Sequence, residues 1–479
     1  EIKLKTTVNI FFLSLRNFGI RGISIIGYFI LSLILGPGDV GLFAIVSESI
    51  GILGYFSDVG LASALIQQKS EVNKEDLQTT FVIQQLLVFI SLVIVAYTFP
   101  GIARSKHYGS KETWILISLC FAFVAASLKT IPSVLLERQL NFKLISTIDI
   151  IENTSFYVIA VIFAILGFGT YSYVIATFSR SLLGLIIIYI KSPWPIGYSF
   201  SKNSAKKLFS YGIPFQLNSF IAVAKDRLSN LFVAGIIGRD AFGILSWAQK
   251  GPSLPLGLMD AFMRVTFPTF SRLQDHHDHL KKSLEKSVYY IAFFSFPILA
   301  GISLVAPDVI NIIPKYGKWL PAVIPLYFYA ANAAIASVTT PLTNAFNAVG
   351  KITLTTKLMV MWTVLTWIFY PFLSYRYSYY GAAAASLIVG SSSFIVWYIS
   401  YKQFGVNVFK TILNPLIASL LMLILILPLN LFIKNLYILL PLKTILGIGI
   451  YFLYQSVFSR QEVIWFKNQL LCLKDRKLS

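Results

Sequence analysis

Six charged residues lie where a hydrophobic chain should carry none. Arg16 and Arg21 fall in the first long apolar run, Glu48 in the second, Lys225 and Arg227 in the seventh and Lys250 in the eighth. A charge at the centre of a bilayer costs about 2.5–3.5 kcal/mol on insertion scales, so repeated burial requires a polar, wet or anion-binding cavity. If each run is helical, Arg16 and Arg21 lie about 10 and 18 Å along the first, Lys225 and Arg227 about 21–24 Å along the seventh, and Lys250 about 14 Å along the eighth. Three helices thus carry cations to similar depths. Arginine offers a planar fork that donates two parallel hydrogen bonds, and lysine a mobile point charge, so the chemistry implied is capture of an anionic group inside the membrane.

Helix geometry limits how these cations converge. At about 100° per residue, Arg16 and Arg21 diverge by about 140° and Lys225 and Arg227 by about 200°. Neither pair points into one narrow site without a kink or a snorkelling side chain. Glu48 and Asp226 are the acids available to neutralise them. Glu48 is the only carboxylate deep in the opening helical hairpin; it can neutralise a cation, close a gate or carry a coupling proton. Lys129 and Arg180 read as helix-packing cations, Asp58 and Asp260 as turn contacts at helix ends, and Asp149 and Glu152 as acids at the start of the fifth helix.

Other patterns carry less. Gly36-x-Gly38-x-x-Gly41 has the letters of a dinucleotide-binding fingerprint, but it joins two apolar helices and follows no strand. His276-His277-Asp278-His279 reads as a solvated loop without a second ligand group. Cys120 and Cys472 are too far apart in the expected topology for a disulfide and match no metal spacing. No nucleotide-binding loop or catalytic triad is present, so the reading is a non-enzyme with no cofactor, no metal and no nucleic-acid partner.

The elements that position the cations follow from composition. The chain is 56% hydrophobic and 13% charged over 479 residues, and its apolar runs reach the roughly 20 residues a spanning helix needs. Hydropathy and turn residues predict about fourteen helices near 9–35, 40–63, 79–99, 113–133, 147–167, 170–190, 211–237, 241–263, 287–306, 321–342, 357–374, 381–401, 414–433 and 437–458. The longest loops, near 191–210 and 264–286, are basic. With both termini cytoplasmic, inside segments hold about three times as many Lys and Arg as outside loops, which sets the expected orientation. Much of the excess of 40 basic over 20 acidic residues is therefore a topology signal.

An internal repeat appears at an offset of 202 residues. Leu35-Gly36-Pro37-Gly38-Asp39-Val40-Gly41-Leu42 aligns with Ile237-Gly238-Arg239-Asp240-Ala241-Phe242-Gly243-Ile244, and the same offset matches Glu48 with Lys250. Six helices separate the copies, so both halves have one orientation, related by an axis along the membrane normal. On this alignment Glu48 and Lys250 are expected to face each other as a reversible latch.

The chain resembles the polysaccharide branch of the multidrug/oligosaccharidyl-lipid/polysaccharide exporter superfamily. The resemblance runs through the Leu35-Gly36 to Phe43 turn, Asp58-x-Gly60-Leu61-x-x-Ala64-Leu65-Ile66-Gln67 and Glu137-Arg138-x-Leu140-Asn141-Phe142-Lys143. It continues in Asp226 to Gly243 and in Arg264-x-x-Phe267-Pro268-x-x-Ser271-Arg272. Leu245-Ser246-Trp247 departs from the tyrosine that members usually carry there. The resemblance implies an all-α polytopic membrane protein of two six-helix lobes, residues 1–205 and 206–410, with two added helices and a basic tail in 411–479. It further implies that the first helix of each lobe lines a cavity. The expected activity is flipping of a polyprenyl-diphosphate oligosaccharide across a bacterial inner membrane, with membrane lipids and polysaccharide polymerase machinery as partners. Arg16, Arg21, Lys225, Arg227 and Lys250 would then hold the diphosphate, and Glu48 would act as gate or coupling acid. A peptidoglycan-precursor flippase and a drug/cation antiporter are the alternatives; the antiporter would want acids where helix one offers Arg16 and Arg21.

Overall fold

The computed structural model describes residues 19–58, 60–68, 71–106 and 109–460; Arg16 and Cys472 lie outside them. The described residues form helices and connecting turns, with no strand among them. In order these are α1 (Gly19–Ile34), α2 (Pro37–Asp58), α3 (Leu61–Gln67), α4 (Lys74–Lys106), α5 (Ser110–Arg138), α6 (Phe142–Ile165), α7 (Tyr171–Lys191) and α8 (Lys202–Val223). A π-helical turn, Ala224–Leu228, leads into α9 (Ser229–Ile237), α10 (Arg239–Lys250), α11 (Leu254–Arg272), α12 (His277–Ile312) and a 3₁₀ turn at Gly317–Ala322. The remainder is α13 (Val323–Ala348), α14 (Ile352–Ser391), α15 (Phe394–Phe404), α16 (Val408–Ile426), α17 (Leu429–Phe432) and α18 (Leu436–Phe458).

Among the described residues, 10 stretches are long and apolar enough to cross a membrane. One of them, Ile352–Phe404, spans 53 residues and contains two of the expected helices. It breaks at Ser378 (φ 51°, ψ −137°), between the ranges 357–374 and 381–401. The expected spans outside the ten are α1, whose described part is short, and the α8–α9 and α10–α11 runs. These are the segments with the cations.

Helices run past the apolar windows. Residues 202–210 and 264–272, expected as loop, belong to α8 and α11, and His277 to His279 open α12. Hydropathy marks only the lipid-buried length, whereas Lys, Glu, Gln and Leu continue a helix into water at little cost. The caps are local: Ser201 Oγ accepts from Ser204 N at 3.4 Å, Asn141 Oδ1 from Leu144 N at 3.3 Å and Asn407 Oδ1 from Lys410 N at 3.1 Å.

The chain packs as two compact units. The first comprises residues up to Ser246 with Thr363–Tyr379, and the second Trp247–Trp362 with the chain from Tyr380 on. In the first unit Leu61, Leu65, Phe81, Ile131, Trp194 and Leu208 form one buried cluster, and Leu42, Ile50, Val88, Ile115 and Phe123 another. In the second, Phe270, Leu284, Val288, Phe346, Trp397 and Ile412 pack together.

Within the first unit the two repeat copies meet. A Cβ on Gly41 would overlap the Arg239 carbonyl oxygen, and one on Gly243 would overlap that of Pro37. Pro37 and Arg239 are equivalent positions at the 202-residue offset, as are Gly41 and Gly243. The contact is therefore reciprocal, as a local two-fold requires.

Candidate functional site

The charged triplet Lys225-Asp226-Arg227 occupies the π-turn between α8 and α9. A π-turn widens the helix and displaces backbone hydrogen bonds, a device common at functional sites. Side chains satisfy the displaced carbonyls: Trp367 Nε1 donates to Ala224 O at 3.0 Å, and Ser229 Oγ donates to Lys225 O and, at 3.1 Å, to Asp226 O. Phe232 packs against Trp367 with ring centroids 5.6 Å apart, holding the indole in place.

The two cations of the turn have different acid partners. Lys225 Nζ lies 2.8 Å from Asp226 Oδ1, whereas Arg227 Nη1 reaches across to Glu48 Oε2 on α2 at 3.2 Å. Asn230 Nδ2, one helical turn on, lies 3.5 Å from Glu48 Oε1. Gly51, one turn beyond Glu48, makes room for the guanidinium: a Cβ there would stand 2.8 Å from Arg227 Cζ. The Arg227 side chain is 46% exposed and that of Asp226 62%. Both side chains thus lie open at the surface rather than packed among apolar neighbours.

The other expected residues lie elsewhere in the sequence. Arg21 is partly buried in α1, and Lys250 is exposed on the last turn of α10. Glu48, matched with Lys250 by the repeat, is held in this structure by Arg227 and Asn230. Asp58 makes the expected turn contact, its Oδ1 accepting from Ala62 N at 3.2 Å.

Four ion pairs, built on three acids, escaped the sequence reading. Glu152 does not begin a helix; it lies in the third turn of α6, buried, paired with Lys129 and with Arg180 Nε at 3.9 Å. Gly184 of α7 gives it space, since a Cβ there would stand 2.8 Å from Glu152 Cγ. Glu112 accepts from Gly109 N at 2.8 Å with one oxygen and pairs with Arg239 Nη1 at 2.9 Å with the other. In the second unit, fully buried Lys443 of α18 pairs with Asp308 of α12. An ionisable residue inside an apolar run was the available signal for Asp308 and Lys443.

Residues 30–324 match the model of a family described as polysaccharide biosynthesis protein. The chain belongs to that family. It is 22% identical over 471 residues, 95% of each chain, to an uncharacterized membrane protein in the cps region of Klebsiella pneumoniae. It is 23% identical over 362 residues to the lipopolysaccharide biosynthesis protein WzxC of Escherichia coli strain K12, covering 72% of this chain and 70% of that one. Among solved structures, the lipid II flippase MurJ in an inward closed conformation superposes with a TM-score of 0.77 at 18% identity, covering 95% of this chain and all of the other. The polytopic all-helical fold expected from the motifs is thus the fold of this member of the polysaccharide biosynthesis protein family.

Proposed function

We propose that the protein flips a polyprenyl-diphosphate-linked oligosaccharide repeat unit from the cytoplasmic to the outer leaflet of a bacterial inner membrane. The observation that carries this reading is Arg227 on a partly exposed π-turn, its guanidinium engaged by a single carboxylate from another helix. A diphosphate brings more acceptor oxygens than Glu48 and can take its place at Arg227, with Lys225 close by on the same turn. Cargo binding would free Glu48, and this change of contacts is what biases a two-state equilibrium. Arg16, Arg21 and Lys250 complete the proposed diphosphate cavity, with Glu48 as gate or coupling acid.

In this scheme residues 1–205 and 206–410 are the two rocking lobes, 411–479 is an appended segment, and both termini are cytoplasmic. The Gly41–Gly243 crossing then lies at the outer end and closes the cavity from outside. With the cell interior negative, outward movement of a divalent diphosphate is favoured by about 4.6 kcal/mol per 100 mV. The product would pass to the polysaccharide polymerase machinery.

The test is export of surface glycan in cells expressing variants at normal membrane levels. Arg21→Ala, Arg227→Ala and Lys250→Ala should each abolish it, and Arg21→Lys should restore part, because charge survives without the bidentate fork. Normal export in the Arg21→Ala, Lys250→Ala double variant would overturn the assignment. A second reading, flipping of a peptidoglycan precursor, is supported by the fold shared with a lipid II flippase. Mass spectrometry of co-purified lipid separates the two by the sugars attached to the diphosphate.

A further inference from the structure

A cavity of about 1040 Å³ opens in the second unit where the first turns of α12 and α16 meet the end of α18. Among the described residues its wall carries Lys281, Lys282, Lys286, Lys410 and Arg460 against one acid, Glu285. Lys282 and Lys286 stand four residues apart on one face of α12, with Glu285 beside them. The polar groups of the frame have partners within the protein. Asn414 Nδ2 donates to Phe458 O at 3.3 Å and Ser459 Oγ at 3.0 Å, pinning α16 to the end of α18. Tyr289, at the cavity wall, hydrogen-bonds Gln455, which hydrogen-bonds Tyr451, which donates to Phe293 O. The polar groups of the frame are thus held within the protein, and the cations gather at its mouth.

The flank of the cavity is apolar. Phe409, Leu413, Leu453, Val457 and Phe458 are all exposed on α16 and α18, the last two at 63% and 62%. A cluster of cations beside lipid-facing apolar side chains at the end of spanning helices matches a molecule with an anionic head and hydrocarbon tails. A soluble anion would use the first feature and leave the second without purpose.

We propose that this cavity binds the phosphate headgroup of an anionic phospholipid, with its acyl chains lying along the exposed faces of α16 and α18. The lysines hold the phosphate as mobile charges, and Arg460 donates two hydrogen bonds to it. None of these residues belongs to the proposed cargo site. The inference rests on the membrane-spanning fold and not on the identity of the cargo. Basic loops lie mainly on the cytoplasmic side in the proposed orientation, so the lipid comes from that leaflet.

The experiment uses the purified full chain in phosphatidylcholine nanodiscs titrated with phosphatidylglycerol, reading lipid retained by native mass spectrometry and melting temperature. Phosphatidylglycerol should be retained and should raise the melting temperature. The triple variant Lys282→Gln, Lys410→Gln, Arg460→Gln should lose about fivefold in apparent affinity per cation removed, about a hundredfold in all. Its melting in phosphatidylcholine alone should match the parent, which separates lost binding from lost folding. The variant Lys282→Arg, Lys410→Arg should bind like the parent, giving a reading even if the neutral triple folds poorly. A control removing equal charge elsewhere, Lys143→Gln, Lys202→Gln, Lys206→Gln, should also bind like the parent. Unchanged retention in the first triple variant, or equal loss in the control, would overturn the proposal. Equal stabilisation by inorganic phosphate would overturn the lipid assignment in favour of a soluble anion. Because purified protein is measured, the outcome does not depend on whether cargo-site variants abolish export.

Discussion

Gly41 and Gly243 cross so closely that neither position has room for a side chain. A Cβ on Gly41 would lie 2.8 Å from Gly243 N, and one on Gly243 would lie 3.0 Å from Gly41 N. The two residues are equivalent in the internal repeat, so one small-residue requirement is met twice at one axis. Close backbone approach between spanning helices is what small residues permit and larger ones forbid.

Valine at either glycine should therefore strain or separate the two hairpins. Gly41→Val and Gly243→Val are each expected to destabilise the form described by about 1–3 kcal/mol, read as a lower melting temperature of the purified protein. Gly235 of α9, where an added Cβ would meet nothing within 4 Å, is the control. Gly235→Ala should leave stability unchanged or raise it slightly. Equal losses at all three positions would refute the crossing.

The Glu48–Arg227 pair is partly exposed, its side chains at 25% and 46%. A double-mutant cycle on Glu48→Gln and Arg227→Gln should give a coupling of at most about 1 kcal/mol in stability, screened by salt. Its effect on transport should be far larger, because the pair is where cargo and acid exchange. A coupling of several kcal/mol with normal transport would make it a structural bridge.

Lys443 and Asp308 present the opposite case, buried with no solvent to screen them. Lys443→Met alone strands a buried carboxylate and should cost about 3–5 kcal/mol, whereas Lys443→Met with Asp308→Leu should recover most of that loss. Thermal unfolding of the three variants in one detergent measures it. A double variant as unstable as the single would mean that packing rather than charge holds α18 to α12.

Orientation is checked by labelling. Lys206→Cys should react with an impermeant thiol reagent only after cells are opened, and Lys434→Cys should react on intact cells. Both positions are accessible at helix or loop surfaces. The reverse pattern would invert the orientation and with it the proposed direction of transport.

Much of this molecule is legible in its sequence because spanning a membrane is a local constraint. Every backbone hydrogen bond must close within the segment, so runs of apolar residues mark helices one by one, and glycines and basic residues punctuate them. The glycines at 36, 41, 238 and 243 made the repeat visible, and at 41 and 243 the close crossing leaves no room for a larger residue. The cations of helices one, seven and eight were visible because charge is costly in lipid. Which acid meets which cation was not legible. Glu48 and Arg227 are 179 residues apart and Asp308 and Lys443 are 135 apart, and each pairing depends on how helices rotate and slide against one another. Glu152 was misread because its helix begins earlier than its hydropathy suggests. The π-turn at Ala224–Leu228 depends on Trp367 and Ser229 to receive its displaced carbonyls. Periodicity assigns a residue to a face of its own helix; only packing decides what that face meets.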